Sequence, residues 1–269
     1  MECEYCFKDM PPNKTEDENS LLYWLPKIKK LGIPVPRTEI LKLPFTLGDW
    51  YKWCDGEDIG MAKYVPEIKK KALLIGYPLF LRTDHLSGKH RWKDTCYVKK
   101  EEVLMNRVSR LVEESLTADI IGVPIHALVF REFIEMDSRF TAFYGEMPVN
   151  PERRYFIRNG QVLCRHPYWI DEAVEKGTPK GMLPDNWREL AKEMNKETEE
   201  EIELLTSYAE KVASILDGYW SVDFCKAKDG RWILIDCGLG YVSWHPKCRK
   251  SLTPTPKDVF EGKEIEKVA

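Results

Sequence analysis

Two aspartates in the second half of the chain could hold a metal ion together. Asp223 and Asp236 each lie within a strongly apolar run, and Asp229-Gly230 between them predicts a two-residue hairpin turn. Such a turn places the two carboxylates directly opposite each other, with Cβ atoms about 5 Å apart. Opposed like charges destabilise a half-buried sheet, and Mg²⁺, which binds one or two carboxylates plus substrate phosphates, would offset them. If the turn has another length, the two aspartates never meet.

A second predicted hairpin, around Asn159-Gly160, carries arginines instead of aspartates. A two-residue turn there places Arg154 opposite Arg165. Paired guanidinium groups suit bidentate recognition of a phosphate or a carboxylate. The alternative interpretation is an exposed sheet face on which both arginines are solvated.

A polar loop over residues 84–94 could cover phosphate groups. Ser87, Gly88 and Lys89 in this loop offer backbone N–H groups and a positive charge, and Arg82 ends the apolar strand before it. The loop matches neither a Walker A motif nor G-x-G-x-x-G, and basic loops are common, so the loop alone is unspecific. With the acidic and arginine pairs it supplies the cations and carboxylates that a nucleoside triphosphate with Mg²⁺ requires.

The periodicity of the chain predicts an α+β fold that could position these residues. Apolar residues at helical spacing predict helices over residues 21–31, 65–74, 101–116 and 199–216. Apolar runs predict strands over residues 39–43, 77–83, 95–99 and 125–134, with both hairpins in the second half. We therefore expect two lobes with a hinge near residues 131–136.

Composition and charge exclude several classes of protein. The 269 residues include 41 basic and 44 acidic side chains, a net charge of −3, so a global nucleic-acid-binding surface is not expected. No apolar run reaches the ~18 residues that span a bilayer, and the N-terminus lacks the features of a signal peptide. Eight scattered cysteines predict reduced thiols and a cytoplasmic protein. From the charge balance and the lack of a long apolar run, we expect the protein to bind neither nucleic acid nor a membrane.

Cysteine and histidine spacing leaves one zinc hypothesis open. Cys3-x-x-Cys6 could be half of a zinc site, and His245-x-x-Cys248 is the only comparable pair. Four such ligands would complete a tetrahedron, although nothing in the sequence shows that the pairs meet. Cys164 is interpreted, with Cys225 and Cys237, as a buried thiol.

The order of these motifs resembles the ATP-grasp superfamily over most of residues 20–246. Residues 32–38 are similar to its G-I-P-x-P-x-T motif, residues 76–82 to its G-x-P-hydrophobic-K/R strand, and residues 129–134 to the hinge that holds adenine. Residues 152–160 resemble the E-x-R-x-F and N-G pattern of the cell-division-cycle-123 family and of related phage and bacterial ATP-grasp proteins.

The resemblance implies an ATP-grasp fold in which two α+β lobes grip a nucleotide. The expected division is a lead-in and pre-grasp element over residues 1–44, an N-lobe with a phosphate flap over 45–133, a C-lobe with a metal site over 134–250, and a peripheral tail over 251–269.

The resemblance also implies roles for individual residues, with ATP and Mg²⁺ as cofactors. The residues that would contact ATP are Arg82, Ser87, Gly88, Lys89, Arg131, Glu132, Phe133, Ile134 and Arg165. Arg154 and Lys89 would act in catalysis, and Asp223 and Asp236 would bind the metal. Many members have Asn where this chain has Gly238, which leaves one or two metals open.

Two functions follow from the resemblance. The first is an ATP-dependent carboxylate–amine ligase, in which ATP activates a carboxylate as an acyl-phosphate and an amine displaces the phosphate. The second is an ATP-binding assembly factor or chaperone for a protein partner, without ligase turnover. The acceptor is open and includes a small molecule, a peptide or a protein.

Overall fold

The computed structural model of the chain describes residues 17–118, 122–144, 146–246 and 248. These residues form two antiparallel four-stranded sheets and one two-stranded sheet, each with helices nearby. The predicted α+β class is therefore confirmed. Among the helices in these ranges, none combines the length and the apolar character needed to cross a bilayer.

The first sheet belongs to the N-lobe and has the strand order β1-β4-β2-β3. Its strands are β1 (Thr38–Lys42), β2 (Leu79–Thr83), β3 (Tyr97–Val98) and β4 (Ala127–Glu132). Helices α2 (Leu47–Cys54), α3 (Val65–Ile75) and α4 (Leu104–Thr117) share a core with one face of this sheet. Because side chains alternate along a strand, Leu79 and Leu81 enter that core while Phe80 and Arg82 project from the opposite face.

The second sheet belongs to the C-lobe and has the strand order β10-β9-β7-β8. Its strands are β7 (Glu152–Arg158), β8 (Gln161–Pro167), β9 (Tyr219–Lys226) and β10 (Trp232–Leu239). Helices α1 (Leu21–Ile28) and α7 (Glu199–Ala213) share a core with one face. Tyr155 and Val222 lie in that core, which leaves Arg154 and Asp223 on the other face.

A smaller cluster lies beside the C-lobe sheet. It contains β5 (Phe140–Ala142), β6 (Met147–Val149), α5 (Asp171–Gly177) and α6 (Trp187–Met194). Its buried residues include Phe143, Trp169 and Trp187. Trp169 also borders the cleft described below, so this cluster helps to close one side of it.

The predicted helices are present, with small changes at their ends. The helix predicted over residues 199–216 is α7, which begins with a capping box between Thr198 and Glu201. The helix predicted over 21–31 is α1 followed by a single 3-10 turn, and Gly32 then adopts φ 67°. Within residues 17–44, the described part of the predicted segment 1–44, α1 packs on the C-lobe core while β1 pairs with β4 in the N-lobe.

The β9–β10 hairpin brings the two aspartates together by a route that the sequence does not show. Ala227 pairs with Arg231, so the loop has three residues and Lys226 faces Trp232; the predicted two-residue turn is wrong. A β-bulge at Ile235 then shifts the register by one residue and restores the predicted pairing of Asp223 with Asp236.

The β7–β8 hairpin turns at Asn159-Gly160 as predicted, but the arginine pair does not form. Asn159 and Gly160 have φ values of 47° and 82°, which fit a two-residue turn. A bulge in β8 after Val162 shifts the remaining register, so Arg154 faces His166 and Arg165 faces Tyr155. Arg165 therefore lies on the opposite face of the sheet from Arg154, and the predicted pairing is wrong.

Candidate functional site

A cleft lies between the outward faces of the two four-stranded sheets. The space within it, open solvent included, amounts to about 780 Å³. Much of its surface is apolar and aromatic, with contributions from Phe80, Trp92, Phe133, Met136, Met147 and Ile235. The polar residues that line it are mostly charged, so they would orient whatever binds there.

Two arginines from neighbouring strands form the N-lobe wall of the cleft. Arg131 on β4 is paired with Phe80 on β2, and Arg82 lies two residues further along the same face. Arg82 donates to Asp236 Oδ1 at 2.9 Å and to the carbonyl of its neighbour Thr83. Both arginine side chains are almost completely buried.

Arg131 has hydrogen-bond donors that the described residues leave unused. Its Nη1 donates to the carbonyl of Ile235 at 2.6 Å, the residue that forms the bulge in β10. Its Nε and Nη2 are buried and have no partner among the described residues. Burial and the nearby charge of Arg82 lower the pKa of Arg131 to about 9. A buried cation with unmet donors is a binding point for an anion.

Lys89 and Glu152 form a buried ion pair across the cleft. Lys89 Nζ lies 3.0 Å from Glu152 Oε1 and over the ring of Tyr168. Burial opposes the charge on Lys89, but the carboxylate of Glu152 outweighs it and raises the lysine pKa. The pKa of Glu152 is also raised, because burial outweighs the opposite effect of the Lys89 ammonium beside it. Glu152 is a site residue that the sequence analysis did not single out.

The loop before Lys89 is shaped by a glycine. Ser87 lines the cleft, whereas Gly88 does not. Gly88 has φ 62°, and a Cβ there would lie 3.0 Å from Leu111 Cδ1 and 3.1 Å from Thr95 Oγ1. The carbonyl of Gly88 accepts from that Thr95 hydroxyl at 2.7 Å. Gly88 thus lets the loop turn closely over the N-lobe so that its two neighbours reach the cleft.

The hinge residues 132–134 begin at the last residue of β4 and border the cleft, as does Arg131, which was also predicted to frame a base. Glu132 is held in place by Arg37, whose backbone N–H donates to its carboxylate at 2.8 Å. The Phe133 ring contacts the ring of Tyr97 at 5.2 Å between centroids. The hinge is thus anchored on both sides by the N-lobe.

Arg154 and Asp223 lie on the C-lobe sheet and satisfy each other. Arg154 Nε and Nη2 donate to the two carboxylate oxygens of Asp223 at 2.8 and 2.7 Å. Its Nη1 donates to the carbonyl of Trp244, and its guanidinium lies 4.5 Å from the ring centroid of Tyr168. Burial alone would lower the pKa of Arg154, but the carboxylate of Asp223 raises it.

Sequence comparison identifies the family. A model of the ATP-grasp domain, R-2-K clade family 3, matches residues 56–255 of the chain. The chain belongs to this family. The predicted ATP-grasp fold is therefore confirmed, and the cleft between the two sheets corresponds to the place where that resemblance predicts a nucleotide.

Solved structures are similar to the chain at low identity. Cdc123 from Schizosaccharomyces pombe is 16% identical with a TM-score of 0.50, and the match covers 83% of this chain and 84% of that one. N5-carboxyaminoimidazole ribonucleotide synthetase from Thermotoga maritima is 13% identical with a TM-score of 0.44, covering 82% and 41%. The ATP-grasp ligase PsnB, complexed with precursor peptide PsnA2 and AMPPNP, is 12% identical with a TM-score of 0.40, covering 91% and 52%.

These likenesses concern the fold alone. The chain spans about two fifths of the length of the synthetase and about half that of PsnB. No curated protein sequence matches it significantly.

The ATP-grasp family implies Mg²⁺, and the acidic side chains can be tested for that ion. Mg²⁺ prefers carboxylate oxygens together with substrate phosphates. Asp236 and Glu152 both line the cleft, and the Asp236 side chain is 35% exposed. Asp223 is less accessible, because its side chain is 6% exposed and both of its oxygens accept from Arg154. The donor set fits Mg²⁺, with Asp236 the most accessible carboxylate; Glu152 also lines the cleft, but its side chain is 3% exposed and paired with Lys89.

Most of the residues predicted for the site therefore lie together. Those that line the cleft are Arg82, Ser87, Lys89, Arg131, Glu132, Phe133, Ile134 and Asp236. Gly88 lies between Ser87 and Lys89 without lining the cleft, and Asp223, paired with Arg154, faces Asp236 across the β9–β10 hairpin. Arg165 is apart, on the α7 face of the sheet, where its Nε is 3.5 Å from Glu197. Glu152 could have been found from strand alternation, since it lies two residues before Arg154 on one face.

Proposed function

We propose that this ATP-grasp domain binds ATP with Mg²⁺ in the cleft and acts as an ATP-dependent carboxylate–amine ligase. The observation that carries nucleotide binding is Arg131, whose Nε and Nη2 are buried at the cleft without partners among the described residues. Unmet buried donors cost free energy, and phosphate oxygens would recover it through charge-assisted hydrogen bonds. Arg82 and Lys89 line the same cleft as Arg131 and would bind the same anion.

Two ion pairs in the cleft support an exchange of partners on binding. Arg82 is paired with Asp236 and Lys89 with Glu152, and all four side chains line the cleft. Phosphate oxygens would take over the two cations. The two carboxylates would then be available as ligands for Mg²⁺, so the pairs keep these charges compensated until the nucleotide arrives.

Arg154 has a positioning role in this proposal. Because three of its nitrogens already donate to Asp223 and to the carbonyl of Trp244, it holds the aspartate that faces Asp236. The sequence analysis assigned it to catalysis, and that assignment stays a hypothesis. The Arg154 guanidinium lies against the ring of Tyr168, and the Lys89 ammonium lies over the same ring. Arg154 would therefore also help to position Lys89 in the cleft.

The base would lie against the hinge, where residues 132–134 and apolar side chains such as Met136 and Ile235 provide a dry wall.

A groove next to the cleft is suited to the acceptor. Trp169 borders both, and Arg154, Tyr168 and the exposed Tyr144 line the groove. A carboxylate that enters there would approach the cleft from the C-lobe side.

The reaction would proceed in two balanced steps. A carboxylate oxygen attacks the γ-phosphorus of ATP and ADP leaves; an amine then attacks the acyl carbon and inorganic phosphate leaves. The cations of the cleft would stabilise charge as it develops on the transferred phosphoryl group, while bound Mg²⁺ would neutralise the phosphate oxygens.

The test is ADP formation from Mg-ATP in the presence of pooled carboxylate and amine compounds, including peptides. We expect saturable Mg-ATP binding, and ADP release only when a carboxylate and an amine are both present. Binding without ADP release across all pools, together with a stable protein partner, would favour the assembly factor instead. Absence of Mg-ATP binding would contradict both functions.

A further inference from the structure

Four side chains that commonly bind metals meet on the edge strand of the C-lobe sheet. Cys164 and His166 project from β8, and His245 and Cys248 come from the segment that follows β10. One potential ligand atom from each of the four lies within 4.8 Å of the other three. We refer to these four residues as the Cys/His cluster.

The path of the chain explains why the cluster forms. Cys164 and His166 are two residues apart on a strand, so they lie on one face. After β10 the chain turns back across that face, where Ser243 Oγ lies 2.7 Å from Ser221 Oγ on β9. The His245 ring then packs over Phe156 on β7, with 4.0 Å between the ring centroids. The segment therefore crosses the sheet and ends at its edge.

Hydrogen bonds orient the histidines of the cluster. His245 Nδ1 lies 2.6 Å from the carbonyl of Pro246, so it donates there and leaves Nε2 as the basic nitrogen. That Nε2 lies 3.2 Å from Cys164 Sγ. His166 Nε2 is buried and has no partner among the described residues. Two histidine nitrogens and two thiol sulfurs are thus collected in a small, partly buried volume.

We propose that the Cys/His cluster is a structural Zn²⁺ site. Zinc prefers tetrahedral thiolate and imidazole ligands, and four protein ligands close a structural site. Bonds of about 2.0 to 2.3 Å require ligand atoms about 3.3 to 3.8 Å apart, so the side chains need to close by about 1 Å around the ion. A disulfide between Cys164 and Cys248 would leave the convergence of two histidines unexplained.

The zinc would link the edge strand to the cleft. The segment that it anchors contains Trp244, whose carbonyl accepts from Arg154 Nη1 at 3.0 Å. Fixing His245 and Cys248 therefore also fixes a partner of the arginine that holds Asp223. A site of His245 and Cys248 with Cys3 and Cys6 was one hypothesis that the sequence left open, and Cys3 and Cys6 lie outside the described residues; the structure brings Cys164 and His166 to His245 and Cys248.

The test is the zinc content of the full chain, expressed with zinc, purified under reducing conditions and measured by mass spectrometry of the metal. We expect one zinc per chain, and visible bands of tetrahedral thiolate-bound Co²⁺ after replacement. Cys164→Ser and Cys248→Ser should each lose most of the metal. Cys54→Ser, at an exposed thiol, and the Cys3→Ser/Cys6→Ser double variant should keep it.

Several results would overturn the proposal. These are a reduced parent chain without zinc, a Cys164–Cys248 disulfide in the protein purified without reductant, or loss of zinc only in the Cys3→Ser/Cys6→Ser variant. If the serine variants do not fold, the parent chain is treated with a chelator. Its melting temperature should then fall and recover on addition of Zn²⁺, and an unchanged melting temperature would contradict a structural site.

Discussion

Arg131 on the N-lobe wall is almost fully buried and Arg154 on the C-lobe sheet is 12% exposed, and their hydrogen bonds differ as well. Arg154 directs three nitrogens to Asp223 and to the carbonyl of Trp244. Arg131 has one such bond, to the carbonyl of Ile235, and two buried nitrogens without a partner among the described residues. The charge of Arg154 is therefore compensated by Asp223, whereas the charge of Arg131 is repelled by its neighbour Arg82.

This difference separates residues that hold the site from residues that await a ligand. Removing a satisfied cation strands its carboxylate in a buried position, which costs stability. Removing an unsatisfied cation relieves repulsion and costs stability little, but it costs ligand affinity. The predictions for Arg154 and Arg131 test the two sides of this contrast.

The largest effect is expected for Arg154→Met. It leaves Asp223 buried without its bidentate partner, and removal of one member of a buried pair costs about 3–5 kcal/mol. Thermal unfolding should show a fall in melting temperature of roughly 10 °C. The Arg154→Met/Asp223→Asn double variant should regain part of this loss. A melting temperature equal to that of the parent would contradict the structural role.

Asp236→Asn should separate metal-dependent from metal-independent binding. The side chain lines the cleft and loses only its charge, so affinity for Mg-ATP should fall by about tenfold or more, whereas affinity for ATP without metal should hold or improve. Asp229→Asn, in the exposed hairpin loop, is the matched control. Equal losses with and without Mg²⁺ would exclude a metal-binding role for Asp236.

The Lys89–Glu152 pair should give strongly non-additive effects. Lys89→Met leaves Glu152 as an uncompensated buried carboxylate and should destabilise the fold, while the Lys89→Met/Glu152→Gln double variant should recover stability. Mg-ATP affinity should stay low in both. The measurement is a double-mutant cycle of melting temperature and nucleotide affinity. Recovery of affinity in the double variant would show that Lys89 does not contact phosphate.

The smallest effect is expected at His85, which does not line the cleft. Burial opposes its charge, but the carboxylates of Asp17 and Asp84, both paired with the ring, prevail and raise the pKa of His85 to about 9. The folded-state pKa is above the unfolded value of 6.5, so this stabilisation is complete below pH 6.5 and is lost as pH rises through 9. Asp84 keeps its bonds to Ser20 and to the backbone, which limits the loss.

His85→Gln should therefore flatten the decline in unfolding free energy between about pH 6.5 and 9. His90→Gln is the control, because burial and then the charge of Lys89 lower the pKa of His90 to about 4, and its effect falls below pH 6.5. An identical decline in the parent and in His85→Gln would contradict the ion pair.

The sequence predicts the strands and the pairing residues better than it predicts their register. Asp223 and Asp236 meet because a three-residue loop and a bulge at Ile235 compensate each other, and neither is visible in the sequence. In the other hairpin a single bulge has no compensation, so Arg165 moves to the wrong face. A one-residue shift reverses every side chain beyond it.

The family motifs predict the N-lobe half of the cleft more reliably. Arg82, Arg131 and the hinge residues lie on regular strands or directly after one, so no bulge moves them to another face. The partners of the arginines could not be predicted in the same way. They depend on the register of the C-lobe hairpins, and the bulge at Ile235 is what supplies Arg131 with its one carbonyl.

The most direct test of the account is calorimetric titration of Mg-ATP into the parent chain, Arg131→Met and Arg165→Met. Arg165 is the matched control because it lies on the α7 face of the C-lobe sheet, outside the cleft. Loss of a charge-assisted contact is worth about 1.5–3 kcal/mol, so Arg131→Met should bind about ten- to hundredfold more weakly without a lower melting temperature, while Arg165→Met should bind like the parent. Parent-like affinity in Arg131→Met would contradict the assignment of the cleft to ATP.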